Sequence, residues 1–265
     1  MIGSIIGNYI GSVFEENGLK TYNLQENHII SHLSRITGDS VLLCATAEAM
    51  LDGSDDFQRY YRNWADKFPG AGYGEGFSSW LLGKNPEGQS LDNGAAARVG
   101  VLGYLNGETD VLELAEKSAA CSHGHPEGIA GARAMAWTVW ALRQGLSVDE
   151  ICQQLTNDYG YSIDFDENEL HKSSTKDSSA RHCVPVSVYI ALKLSTTYEK
   201  CLRTSLWIGG DTDSIMAMAG LLKSQQCEVH PDWEIKTKQW LWKNAQPVLQ
   251  VIERFENTPP TADVP

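Results

Sequence analysis

The sequence predicts an almost wholly α-helical protein, and three observations carry that expectation. Residues 41–51 and 215–222 are apolar, or nearly so, on every side, as helices buried all round must be. Gly53 and Gly145 fall just after periodic apolar stretches and Pro126 just before one, the positions of helix caps. Strand signals are scarce throughout.

Residues 3–14 read as an apolar helix in which Gly3, Gly7 and Gly11 share one face, which permits close backbone approach to a neighbour. Glu15 and Glu16 close it, and Asn17 and Gly18 give a turn. Residues 36–40 (ITGDS) place a carboxylate between hydroxyls, ahead of the helix of residues 41–51, which Gly53 caps. A surface helix follows Asp55. The loop of residues 69–76 (PGAGYGEG) has too many glycines for regular structure. It suits either a flexible connection or backbone drawn close to a ligand ring, with Tyr73 at its centre. Residues 90–98 (SLDNGAAAR) are a turn entering an alanine-rich helix. Free N–H groups there suit a phosphate, and the same residues also make an ordinary cap.

Residues 111–120 are helical. His123 and His125, spaced by one, cannot share a helix face and belong to a loop. With no matching Cys or His pair they read as ligand contacts or structural histidines rather than a zinc site. Pro126 opens the helix that carries Met135, Trp137, Val139, Trp140 and Leu142. Ser147 and Glu150 form a capping box, with Leu146 and Ile151 as its staple. Residues 159–177 are polar and acidic, the longest irregular segment, of the kind that serves as a lid. Helix resumes over 183–194, with Pro185 in its first turn, and over 198–207. Trp233, Trp240, Trp242, Val248 and Ile252 mark terminal helices. No linker splits residues 1–255, which read as one domain, and residues 256–265 read as a flexible tail.

The stretch 208–214 (IGGDTDS) organises the chain. Asp211 and Asp213 converge in extended or turn-like backbone, and Ser214 stands at the start of a buried helix. An N-cap needs one oxygen, and three or four are present. Carboxylates at the mouth of a buried helix are costly unless paired, and a hard divalent cation takes oxygen ligands. Residues 37–40 repeat the pattern. The two helix mouths are therefore expected to face each other and share a cation; each taken alone also reads as a plain loop and cap.

The composition, with 42% hydrophobic and 21% charged residues, is that of an ordinary globular protein. A net charge of −13 over 265 residues argues against a general nucleic-acid or anionic-membrane binder. It leaves room for a small anionic ligand held through a metal. No apolar run reaches transmembrane length, and the start of the chain lacks the basic region of a signal peptide. Six scattered cysteines without a C-x-x-C pair read as reduced thiols of a cytoplasmic protein.

Five motifs, in this order, resemble those of the ADP-ribosylglycohydrolase family. G-D-x-x-G-S-x-x-E is echoed by residues 7–15 (GNYIGSVFE), and T-D-D-T by 37–40 (TGDS). S-x-G-N-G-A-A-M-R is echoed by 90–98, H-N-H-P-E-G by 123–128, and G-G-D-[TS]-D-[TS] by 209–214. The resemblance runs from Met1 to about His230. It implies an all-α orthogonal bundle with a metal cleft between helix N-termini, two Mg²⁺ ions, and hydrolysis of an N- or O-glycosidic bond of ADP-ribose. The implied partner is ADP-ribose or a protein ADP-ribosylated on arginine or serine. Carried over, the metal ligands are Thr37, Asp39, Asp211, Asp213 and Ser214. Glu15 matches the acidic residue at the scissile bond, which deprotonates or orients water. Ser90, Asp92, Asn93, Gly94, His123 and His125 contact ADP-ribose, and Tyr73 stacks on it.

Two departures matter, and a third residue adds a carboxylate. Asn8 and Gly38 replace family aspartates, and Asp92 replaces a glycine near the pyrophosphate region. They leave two readings: an active Mg²⁺-dependent hydrolase with one metal weakened, or a catalytically impaired relative that binds ADP-ribose or an ADP-ribosylated or toxin partner. Returning Gly38 to aspartate is expected to tighten metal binding.

Overall fold

The computed structural model describes residues 1–17, 20–21, 29–173 and 177–258. Among them the chain is all-α, with fourteen α-helices, one 3-10 segment, one π-helical turn and no strand. Helix α1 spans Ile2–Asn17, α2 Gly38–Leu51, α3 Phe57–Lys67, α4 Glu75–Leu81 and α5 Gly94–Val99, which continues as a 3-10 segment over Gly100–Tyr104. Then come α6 (Glu108–Ala120), α7 (Pro126–Arg143), α8 (Val148–Tyr159), α9 (Glu167–Ser173) and α10 (Ala180–Val188), which unwinds into a π-turn over Tyr189–Leu194. The last four are α11 (Tyr198–Ile208), α12 (Thr212–Lys223), α13 (Pro231–Asn244) and α14 (Gln246–Asn257).

Helix α12 is the axis of the fold. Each of its twelve residues is buried, as the apolar run of residues 215–222 within it requires. The glycine face of α1 lies directly on it. A Cβ at Gly7 would stand 2.0 Å from the Met216 carbonyl oxygen, and one at Gly11 2.6 Å from Asp213 Cα. Gly3 meets Gly220 in the same way, so α1 and α12 run antiparallel in backbone contact. Tyr198 Oη closes that end by donating to the Gly3 carbonyl over 2.6 Å. Helices α2, α5, α7 and α10 pack around this pair, and Trp64, Trp80 and Trp233 are the largest fully buried side chains.

Local signals behave as expected at several ends. Ser147 and Glu150 make both hydrogen bonds of a capping box. Pro126 is the first residue of α7, and Gly53, at φ 64°, donates to the Met50 carbonyl past the end of α2. Other expectations are corrected. Helix α1 does not stop at Glu15 but runs to Asn17, since glutamate is a good helix former; Gly18 lies outside the described residues. The acidic stretch 159–177 is not irregular throughout. It contains α9, which buries Leu170 and is started by Asp166, whose Oδ1 accepts from Asn168 N and Glu169 N, each at 2.9 Å. Residues 174–176 lie outside the described residues. Helix α10 starts at Ala180, so Pro185 sits in its interior rather than its first turn and removes one helical donor. Helix α14 extends to Asn257, and the tail beyond residue 258 lies outside the described residues.

Among the described residues no helix is long and apolar enough to cross a membrane.

Candidate active site

The glycine face of α1 fixes the position of Glu15. Gly11 rests on Asp213, so the next turn of α1 carries Glu15 past the N-terminus of α12. The chain enters α12 through Gly209 and Gly210, whose φ values of 77° and 95° are left-handed backbone that favours glycine. Asp211 takes the N-cap position, yet its carboxylate caps nothing. It accepts instead from Asn93 Nδ2 at 2.5 Å. Carboxylate oxygens of Glu15, Asp211 and Asp213 lie within 4.8 Å of one another.

Helix α2 turns its own N-terminus to the same space. Thr37 is its N-cap and also makes no capping bond. Asp39 holds the second position of α2, as Asp213 does of α12. Two hydrogen bonds tie the mouths together: Thr37 Oγ1 donates to Asp213 Oδ2 at 2.8 Å, and Ser214 Oγ donates to Asp39 Oδ2 at 2.7 Å. Asn8 of α1, fully buried, knits them further. Its Oδ1 accepts from Thr37 N (2.8 Å) and Ser40 Oγ (2.7 Å), and its Nδ2 donates to Thr37 Oγ1 (2.7 Å) and Asp213 Oδ2 (3.3 Å). The amide is therefore a strut. Sequence reasoning saw in Asn8 only a missing charge, whereas a carboxylate here would face Asp213 with no proton to offer.

Between the mouths lies a cleft of about 330 Å³. Tyr73 and Phe77 form one wall, Asn93, Gly94 and His123 another, and Ser178 part of the rim. Its described lining contains Glu15, Asp39, Asp92, Asp211 and Asp213, and no lysine or arginine. The electrostatic result is specific. Burial, and next the Asp213 charge, push Asp39 up to about 7, against the Ser214 hydroxyl, which opposes the shift. Burial, then Asp213 and Asp39, hold Asp211 well above the carboxylate range, with Asn93 opposing. Burial and mutual repulsion thus favour the protonated forms, with no cation in the described lining to offset them. Their donor set, all oxygen and part-buried, fits a hard dication such as Mg²⁺ or Ca²⁺.

The expected site residues are placed unevenly. Glu15, Thr37, Asp39, Tyr73, Asp92, Asn93, Gly94, His123, Asp211, Asp213 and Ser214 all line the cleft. Ser90 and His125 do not. Ser90 Oγ donates to Asp92 Oδ2 at 3.1 Å, and His125 is the N-cap of α7, its Nδ1 accepting from Glu127 N at 3.2 Å. Asp92 Oδ1 also accepts from Ser178 Oγ at 3.0 Å. Around it Asn93 N bonds the Ser178 carbonyl and Ala180 N the Leu91 carbonyl, at 2.8 and 3.0 Å. Asp92 thus latches residues 91–93 to 178–180. The part of Ser178 had no sequence signal, because that pairing joins distant segments.

Tyr73 corrects a second expectation. Its ring packs on Gly38, where a Cβ would stand 2.8 Å from Tyr73 Cδ1. The ring is held there by Phe77, 5.3 Å between centroids, and by its hydroxyl, which donates to the Phe68 carbonyl at 3.0 Å. An aspartate at position 38 therefore has no room to reach a metal while Tyr73 stays in place.

Comparison with known proteins agrees with this architecture. A sequence profile of the ADP-ribosylglycohydrolase family matches residues 1–229. Among solved structures, an ADP-ribosylglycohydrolase-related protein complex superposes with a TM-score of 0.63 at 17% identity, over 94% of this chain and 96% of that one. At that identity the superposition speaks for the fold alone. No curated protein sequence matches.

Proposed function

The chain belongs to the ADP-ribosylglycohydrolase family, and on that footing we propose that it is an Mg²⁺-dependent hydrolase that removes ADP-ribose from a modified arginine or serine side chain. Membership carries a glycohydrolase role in general; the ion, the linkage and the residues are our reading. The observation that supports it is the convergence of Glu15, Asp211 and Asp213 within 4.8 Å at the mouth of a buried helix. Asp39, Asp211 and Asp213, with the Thr37 and Ser214 hydroxyls, would hold the ion. When bound, it supplies neutralisation of these carboxylates and polarisation of substrate oxygens.

The protein's own residues supply the rest. Glu15 orients a water and takes its proton as the water attacks the anomeric carbon. Its negative charge also favours an oxocarbenium-like transition state. The bond broken joins that carbon to the guanidine nitrogen or serine oxygen, and the leaving group takes the proton back from Glu15. Asn93 orients Asp211, and Asn8 orients Thr37 and Asp213. Tyr73 and Phe77 offer aromatic surface to the nucleoside. We take residues 1–255 as a single domain, and the six free thiols suit a reducing cytoplasm.

Gly38 and Asn8 favour a second reading, a relative that binds ADP-ribose or an ADP-ribosylated or toxin partner without turnover. Incubation with mono-ADP-ribosylated arginine and serine peptides, with and without Mg²⁺, separates the two. Mg²⁺-dependent release of ADP-ribose from either peptide supports the hydrolase. Binding without release at any Mg²⁺ concentration supports the second reading.

A further inference from the structure

Behind the cleft wall lies a buried cation that the chemistry above does not use. Arg98, on α5, has no exposed surface. Its guanidinium stacks 3.9 Å from the Tyr61 ring centroid. Its Nη2 donates to the Ser118 carbonyl at 2.6 Å and to Ser122 Oγ at 2.9 Å, while Nε and Nη1 lack partners. Ser122 is buried too, and its Oγ lies 2.8 Å from His123 Nδ1.

Donor counting gives this chain a direction. A guanidinium has only donors, so Ser122 Oγ accepts from Arg98. The Cys121 thiol turns its weak donor elsewhere, to the Ser118 carbonyl at 3.1 Å. The Ser122 proton then has His123 Nδ1, 2.8 Å away, as the acceptor within its reach among the described residues. A neutral imidazole that accepts at Nδ1 carries its proton on Nε2. The ring is 2% exposed, and burial, with Arg98 behind it, lowers its pKa well below the ordinary histidine value. Nε2 has no hydrogen-bond partner among the described residues. It looks past Gly94, where a Cβ would stand 3.2 Å away and cover it. The glycine leaves that nitrogen open to the cleft, which both residues line.

We propose that Arg98 and Ser122 are positioning residues that lock His123 as a neutral ring presenting Nε2–H to the cleft, a fixed donor to an oxygen of the bound ADP-ribosyl group. The ligand's identity rests on the proposed function; the lock itself does not. The arrangement answers a difficulty of this cleft. The ionised carboxylates among its lining would favour a protonated imidazole. A cation fixed behind the ring opposes that protonation and leaves the donor for the ligand.

Full-length protein labelled with ¹⁵N in its histidine rings tests the lock directly, with His123→Ala used to assign the signal. The expected wild-type spectrum is the neutral Nε2–H form, unchanged from about pH 5.5 to pH 8. Folded Ser122→Ala should show the other tautomer or a mixture and bind ADP-ribose about tenfold more weakly. Ser122→Thr, which keeps the hydroxyl, should restore both. A merely structural role would change stability and leave the tautomer as it was. An Nδ1–H ring or an imidazolium in the wild type, or an unaltered tautomer in Ser122→Ala, overturns the proposal. An Nε2–H ring in a wild-type protein that does not bind ADP-ribose upholds the lock and overturns the proposed ligand.

Discussion

Replacing Gly38 by aspartate restores the carboxylate of the family pattern, and the structure predicts that it fails to restore a metal ligand. The new Cβ would lie 2.8 Å from Tyr73 Cδ1 and 3.2 Å from Cε1. These atoms form one edge of a ring whose hydroxyl is hydrogen-bonded and which leans on Phe77, so the ring cannot yield by a small torsion. To admit the aspartate it must leave its place. That forfeits one hydrogen bond, about 1 kcal/mol, and adds overpacking of about 1–3 kcal/mol. A total of about 2–4 kcal/mol lowers the unfolding temperature by roughly 5–15 °C in a chain of this size. Calorimetric titration with Mg²⁺ should show no tighter binding in Gly38→Asp than in the wild type. Removing the obstacle changes the outcome. On a Tyr73→Ala background, adding Gly38→Asp should tighten Mg²⁺ binding by at least about tenfold, as expected for a gained carboxylate ligand. A single Gly38→Asp variant that unfolds at the wild-type temperature and binds Mg²⁺ more tightly would show that Tyr73 does not block position 38.

Three further outcomes follow from the same geometry. Asp39 holds its proton up to about pH 7, against an ordinary value of 3.8, and Asp211 is raised as well; in ion-free protein the folded state therefore binds more protons than the unfolded one between about pH 4 and pH 7, so its stability should fall as pH rises through that window. Mg²⁺ should raise the unfolding temperature most at the upper end, and an Mg²⁺ effect that grows toward low pH would contradict this. Asn8→Asp sets a second carboxylate where an amide now donates to Asp213 over 3.3 Å; ion-free protein should lose about 3 kcal/mol in denaturant titration, partly recovered with Mg²⁺, and an unchanged midpoint would show that Asn8 is no strut. Gly11→Ala drives a methyl to 2.6 Å from Asp213 Cα; about 3 kcal/mol of stability and much of the Mg²⁺ affinity should go together, and loss of neither would mean that α1 does not set the site.

Much of this molecule is legible in its sequence because the information is local. The apolar runs of α2 and α12 announce buried helices, and the carboxylates at their mouths announce a polar site. The face of Gly3, Gly7 and Gly11 declares a close packing partner, although not which one; contact with α12 emerges only from the fold. What the sequence hides is the pairing of distant parts. Nothing in residues 69–76 tells that Tyr73 lies on Gly38, and nothing in 177–180 tells that Ser178 meets Asp92. Helix α9 escapes notice because a short helix burying one leucine has almost no periodicity to read. Arg98 did carry a signal, a charged residue inside an alanine-rich helix, but its use for His123 depends on Ser122, brought alongside by α6 and its following turn.

The proposed hydrolase needs both an ion and Glu15. Its most direct test is the initial rate of ADP-ribose release from ADP-ribosylated arginine and serine peptides across an Mg²⁺ titration, for the wild type and Glu15→Gln. Release should rise from zero and saturate with Mg²⁺ for at least one linkage, and fall by at least about 100-fold in Glu15→Gln. Release that ignores Mg²⁺, release unaffected by Glu15→Gln, or none from either peptide at any Mg²⁺ concentration would contradict the proposed function.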